Sequence, residues 1–531
     1  MKRDSRRPLR MTLALGLVIC VTNCTTRADS PTCSVWVRLH AGDTEAARFR
    51  ILSADGMEYA PAGATVRTTK SGASYFYEDD TFRLEIPAGR ARVFISGGME
   101  YVPQRLLLDV ASDTQLDVYM RPWIDMASRG WYSGDSHVHL HTGGPINVSV
   151  ADALLAARAE GVHYVNLCVS NNVGDDIRDV DLITGTPHPM STASHLLVFG
   201  EEMRSSIYGH MQFFGISRLV EPQYTGFDNT PHHYDFPANH VMAEEACRQG
   251  GVVTYGHPMF RSQPFPFGED LTADNAAARE LPIDAVLNVV QAVDLMSYNS
   301  DEHESARLWY RLLNCGLRLS ACVGTDALLD QSTDPMGGSR VYVDTRGPLT
   351  MQNWLQGLAA GRTFVTNGPM LQIEVEDSAP GETVSAKADH VTVRGTVESH
   401  VPFNRVQLIV NGRVVLERNP SPRSDSEIVQ IQRFETDVVL ERSSWVALRV
   451  QGPDHPDVFD GHVWAHTSPV YVLIDDKPIG SAEDSRFFVD WIDQLLRVVA
   501  ARNRYRTAED RMEVESVFRR AQKEFRRRAS P

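Results

Sequence analysis

With 531 residues the chain is too long for one hydrophobic core, and about two to four domains are expected. Its 42% hydrophobic and 23% charged content is the ordinary balance of a soluble globular protein. A formal net charge of −16 repels phosphate backbones and anionic lipid, which argues against nucleic acid as a partner.

The N-terminal "MKRDSRRPLR" supplies positive charge, and "MTLALGLVICV" follows as an apolar run of 11 residues. That run is too short for a bilayer, which needs about 20 apolar residues, but it suits a secretory signal. Residues 1–30 therefore read as a signal peptide cut after Ser30, and the protein as exported to a periplasmic or extracellular space, without a transmembrane span. "VTNC" loosely resembles a lipobox, so a lipid anchor at Cys24 is the alternative. The 7 cysteines contain no C-x-x-C pair and read as small buried apolar residues, not as a disulfide framework or a thiolate zinc site.

Residues 31–122 alternate polar and apolar positions between glycine turns, as an antiparallel β-sandwich does. Within them "FRLEIPAGRARVFISGGMEYVP" resembles the carboxypeptidase-regulatory-like domain, which implies an accessory role. Between 123 and 370 the rhythm changes. "ADALLAARAEG", "VMAEEACRQGG", "SARLWYRLLNCG" and "MQNWLQGLAAG" are helical patterns that end in glycine and run straight into apolar strands. Glycine closes such helices in the left-handed conformation, and helix–strand alternation implies a parallel sheet or barrel. Residues 371–475 return to strand patterns, and residues 476–531 read as a helical C-terminal tail whose basic end is solvated.

The chemistry gathers in the middle. Eleven of the 18 histidines fall between 137 and 257. In "GDSHVHLH", His137 and His139 alternate along one strand and so share a face. Glu202 after "HLLVFGE", His210, His257 in "YGHP" and Asp326 in "GTD" complete a set of six donors at strand ends, where barrel active sites are built. Carboxylates with imidazoles suit zinc, manganese or iron better than calcium, and a donor set without thiolates suits a hydrolytic centre with open positions. Around this set, Asp135 is expected to orient a ligand; His141 has the parity to support a ligand or substrate unless the strand ends before it, and Glu201 is a supporting or solvated carboxylate beside Glu202. Arg204 is a candidate for a substrate anion, and Tyr298 and Asn299 are rim residues, with Tyr298 able to donate to a developing oxyanion. His232, His233 and His240 lie in a Pro-rich segment that reads as surface or lid. No G-x-S-x-G elbow or Walker loop is present.

"GDSHVH", "GEEMRSSIYGHMQFFG", "YGHP", "GTD" and "GRTFVTNGP", in that order, resemble the PHP metallohydrolases, and within them the CehA/McbA branch. The resemblance covers roughly residues 123–370. It implies an α/β protein built on a PHP-like distorted (βα)7 TIM-type barrel between two all-β sandwiches. It also implies two metal ions, one on His137, His139, Glu202 and Asp326, the other on Glu202, His210 and His257. Asn171 and Leu328 stand where the family often has histidine, so a third ion is not expected. The amidohydrolase barrels, many of which bridge their metals with a carbamylated lysine, are a poor match, because no lysine occurs between 121 and 370. The expected activity is hydrolysis of an ester, carbamate or amide bond in a small-molecule or glycan-type substrate, with Asp326 or His257 carrying the proton. A phosphoesterase, and a non-catalytic carbohydrate- or protein-binding module on the same scaffold, are the alternatives.

Overall fold

The computed structural model describes residues 31–40, 46–170, 173–174, 177–261, 266–386, 390–424, 427–459 and 461–530. The proposed signal peptide, Cys24 and Asn171 lie outside the described residues. The chain is a strand-rich α/β protein with seven α-helices among the described residues.

Near the N-terminus, strand Thr32–His40 pairs antiparallel with Thr81–Pro87 and parallel with Thr114–Tyr119. A second sheet carries Ala47–Leu52, Ser74–Glu78, Gly89–Ser96 and Gln104–Val110. The two share a core of Val35, Val37, Phe49, Ile51, Leu84 and Val93. Alternation in "TFRLEIP" buries Phe82, Leu84 and Ile86 and leaves Thr81, Arg83 and Glu85 in water.

All four helix–glycine–strand units are present. Helix α1 (Val150–Glu160) ends at Gly161 with φ +62 and leads into strand Tyr164–Val169. Helix α2 (Asn239–Arg248) leads into Val252–Tyr255, and after the short α3 (Leu281–Val286), α4 (Glu302–Asn314) leads into Ser320–Val323. Helix α5 (Met351–Ala359) leads into Thr363–Thr366. Strand Trp131–His139 runs parallel to Tyr164–Val169, which runs parallel to Leu196–Ser205. The antiparallel Gly209–Phe214 joins these to Val252–Tyr255, Ala292–Met296 and Ser320–Val323, which run parallel to one another. On its other side Trp131–His139 meets Ala327–Leu328 and the antiparallel Arg340–Asp344. His137, His139, Glu202, His257 and Asp326 lie toward or just past the carboxyl ends of these parallel strands, and His210 stands at the start of the antiparallel Gly209–Phe214.

Two expectations need correction. The fourth unit's strand Thr363–Thr366 is not in a parallel ladder; it pairs antiparallel with Arg340–Asp344 and with His462–Thr467, so the ladder runs on across residue 370. The C-terminal helices α6 (Ala482–Arg502) and α7 (Ala508–Ala529) are not a free tail: Arg519, Arg520, Arg526 and Arg527 of the basic end are exposed, but the opposite face is packed. Val514, Val517, Phe518, Ala521 and Phe525 form an apolar stripe through the basic sequence of α7 and join Phe488, Trp491, Ile492, Leu495 and Val499 in the central core. No helix among the described residues is long and apolar enough to cross a membrane.

Candidate metal centre

Strand Trp131–His139 is buried from Ser133 onward, which is unusual for a segment holding Asp135, His137 and His139. The burial is accommodated by partners. The Asp135 carboxylate accepts from the backbone N–H groups of His137 (3.2 Å), Thr325 (2.9 Å) and Gly337 (2.8 Å), and from the Thr325 hydroxyl (2.6 Å). It therefore clamps the histidine strand to the Gly324–Thr325–Asp326 segment. The approach also needs Gly324, because a Cβ there would lie 2.2 Å from His137 Cβ.

The six expected donors converge. His137 Nε2 is 2.9 Å from His139 Nε2, 3.5 Å from Glu202 Oε1 and 3.5 Å from Asp326 Oδ1. His139 Nε2 lies 3.5 Å from Glu202 Oε2 and 3.3 Å from Asp326 Oδ1. Glu202 Oε1 also meets His210 Nδ1 at 3.0 Å and His257 Nε2 at 3.9 Å. Three triads follow, His137–His139–Glu202, His137–His257–Asp326 and Glu202–His210–His257, each with ligand atoms within 4.8 Å of one another.

The protonation pattern fits a cation. His139 Nδ1 is 3.0 Å from the Cys168 carbonyl, which can only accept, so a hydrogen sits on Nδ1 and Nε2 is the ring atom turned to the cluster. Burial disfavours charge on His137, but Asp326 and Glu202 outweigh it and push that imidazole up to about 9. Burial would likewise raise Glu202 and Asp326, yet the histidines around them hold both well below the usual carboxylate range. His210 is lowered, chiefly by burial. Positive charge is favoured where these side chains meet, and imidazoles with carboxylates are a donor set for a transition-type divalent ion.

The neighbours fall into two groups. Asn299 donates to Asp326 Oδ2 at 3.0 Å, and Arg204 Nε lies 3.9 Å from Glu202 Oε2. The remaining expectations fail on direction. His141 has left the strand; its Nδ1 meets Asp179 at 2.8 Å and its Nε2 the Val148 carbonyl at 3.0 Å. Glu201 points to the strand's other face, accepting from Val220 N at 2.7 Å, with burial pushing its carboxyl well up. The Tyr298 hydroxyl donates to the Pro335 carbonyl, and Lys70 Nζ stands 5.1 Å from its ring, which turns it from the cluster and removes it as an oxyanion donor. His232 and His233 are exposed, but His240 is buried in α2, against Asp284 at 3.1 Å, and is neither surface nor lid. Leu328 pairs with His139 in the adjoining strand.

Two residues went unanticipated. Gln212, fully buried, brings Nε2 to 3.2 Å from His137 Nδ1; it shares the strand face of His210, two residues earlier. Asp294 receives the Ser136 hydroxyl at 3.2 Å, and burial, tempered by His137, raises its carboxyl to about 7. An acid in the otherwise apolar "AVDLM" was its signal.

No family model and no curated protein matches the sequence. Among solved structures, the chain is similar to the lesion-specific endonuclease PfuEndoQ from Pyrococcus furiosus at 10% identity and a TM-score of 0.28, over 44% of this chain and 56% of that one. It is also similar to an FMN-binding beta-glucuronidase from Facaelibacterium prausnitzii L2-6 at 8% identity and a TM-score of 0.18, over 82% of this chain and 70% of that one. The chain thus spans little more than half the endonuclease's length, and the functional reading rests on the side chains.

Proposed function

We propose that this protein is a metal-dependent hydrolase of the PHP type, nearest in its motifs to the CehA/McbA branch. The observation that carries the reading is the convergence of four imidazoles and two carboxylates from separate segments, with His139 Nε2 turned inward. His137, His139, Glu202 and Asp326 would hold one divalent ion, zinc, manganese or iron, and Glu202, His210 and His257 a second. Such an ion, when bound, supplies Lewis acidity to coordinated water and to an oxygen of the scissile group.

The chain's own groups supply the rest. Asn299 ties down Asp326 Oδ2 and leaves Oδ1 toward the imidazoles. Asp326, the more exposed of the two carboxylates, and His257 carry the proton between substrate and solvent. Arg204, beside Glu202, offers a guanidinium to anionic substrate oxygens. The motif resemblance favours an ester, carbamate or amide in a small-molecule or glycan-type substrate over a phosphoester.

The test is elemental analysis of the purified full chain, followed by turnover of aryl esters, aryl carbamates and an aryl phosphodiester. About one to two equivalents of metal, lost together with turnover in His137→Ala, Glu202→Ala and His257→Ala, is the expected result. A chain that takes up no zinc, manganese or iron would overturn the reading and leave a binding module on this scaffold. Preference for the phosphodiester would reassign the bond.

A further inference from the structure

We propose that Gln212 is the positioning residue that holds His137 in the Nδ1–H form needed for ligation through Nε2, its carboxamide turning to do so; this inference rests on the metal reading above. His137 Nε2 is the atom that faces His139, Glu202 and Asp326. Whatever cation sits there, the hydrogen of His137 is then confined to Nδ1 and needs an acceptor. Gln212 is the side chain that meets that nitrogen among the described residues, with its amide nitrogen 3.2 Å away. That orientation sets a donor against Nδ1, where a ring ligating through Nε2 needs an acceptor. It also leaves Gln212 Oε1 buried with no hydrogen bond among the described residues.

Half a turn about the last side-chain bond exchanges the near-isosteric amide oxygen and nitrogen, and places Oε1 on Nδ1–H. The exchange needs no added volume, because the two amide groups are near-isosteric. Gly256, the residue before His257, packs against the carboxamide so closely that a Cβ there would lie 2.2 Å from Nε2 and 3.0 Å from Oε1. Backbone without a side chain thus borders both ends of the amide. Position is fixed independently by register, since Gln212 stands directly across the ladder from Glu202. An acceptor at this point selects the ring's tautomer, and a side chain of equal size that cannot accept does not.

The test uses the full chain and zinc alone. Zinc affinity is measured by chelator competition for the wild type, Gln212→Met and Gln212→Glu. The zinc-loaded proteins are also examined by 15N NMR of histidine side chains, with His137 assigned by its loss in His137→Asn. The expected result is a loss of about 10- to 100-fold in Gln212→Met and retention in Gln212→Glu, whose carboxylate still accepts. The wild-type zinc form should show His137 protonated at Nδ1. Zinc affinity in a folded Gln212→Met within about twofold of wild type, or a zinc-loaded His137 protonated at Nε2, overturns the proposal. The NMR readout needs no variant at position 212 to fold. Failure of the wild type to bind zinc would instead strike the metal reading itself.

Discussion

Gly324→Ala tests whether the meeting of His137 and Asp326 depends on backbone contact. A Cβ at position 324 would lie 2.2 Å from His137 Cβ, 2.7 Å from Ser136 Oγ and 2.8 Å from His137 N. Ordinary contact begins at 3.4 Å, so the two segments must separate by about 1.2 Å along the closest pair. His137 Cβ and N are backbone-anchored atoms and not the far end of a flexible side chain, and Asp135 ties the same two segments together with a buried carboxylate. Overpacking of this kind costs about 1–3 kcal/mol. Metal–ligand distances tolerate only about 0.2 Å, so displacing His137 against Asp326 should reduce zinc affinity at least about tenfold. Urea unfolding and chelator competition measure the two effects. Gly250→Ala is the control: its φ is +84 with nothing within 4 Å, so it should lose about 1 kcal/mol of stability with zinc affinity unchanged. A Gly324→Ala protein as stable as wild type and binding zinc equally would refute the reasoning.

Asp135→Asn leaves four hydrogen-bond donors facing a group that accepts through one oxygen only. It should lose about 2–4 kcal/mol in urea unfolding, and an unchanged midpoint would deny the clamp. Arg502→Ala strands the buried Asp235 carboxylate, now 3.0 Å from Arg502 Nε, and should lose about 3–5 kcal/mol. A change below about 1 kcal/mol would show that the pair is dispensable. His466 is buried, with Nδ1 on the Thr467 carbonyl and Nε2 on the Tyr310 hydroxyl, and burial holds it at about 3. The unfolded chain binds a proton below about 6.5 that the native chain refuses, so native stability falls as pH drops through that value. Relative to His466→Gln, the wild type should lose about 1.4 kcal/mol per pH unit between about pH 6 and 4; parallel curves would contradict the assignment.

Much of this was legible because it is local. A helix ending in glycine before an apolar strand is a signal within one stretch of sequence, and all four such units formed. The convergence of His137, His139, Glu202, His210, His257 and Asp326 was legible because imidazoles and carboxylates recur beside apolar strand patterns, which the fold brings together. What failed was direction. A register shift between Asp294 and Met296 re-aims the side chains that follow, so Tyr298 points toward Lys70 while Asn299 reaches Asp326. His141 keeps the parity of His137 and His139, but parity means nothing once the strand has ended at His139. Helix α7 was misread because its charge conceals a stripe at helical spacing, and only the partner helix shows which side is covered.

Two of the donors hold a backbone conformation that most side chains avoid: φ is +29 at His257 and +61 at Asp326. Each sits just beyond a strand end, where glycine would relieve the strain but remove the donor with it. The conformations are held from outside the donor side chains. Asp326 N donates to the His137 carbonyl at 2.8 Å, and Gly256 N to the His210 carbonyl at 3.1 Å, so the donor segments brace one another through backbone. Side-chain removal should therefore abolish zinc binding without unfolding the chain. It should also reverse the usual ranking of small residues at position 257. His257→Gly should be about 1 kcal/mol more stable than His257→Ala, because alanine keeps the left-handed penalty and glycine does not. Neither should bind zinc at the site of Glu202 and His210. Paired thermal unfolding curves with zinc titration decide it: an alanine variant more stable than the glycine one would mean that His257 is not held under strain.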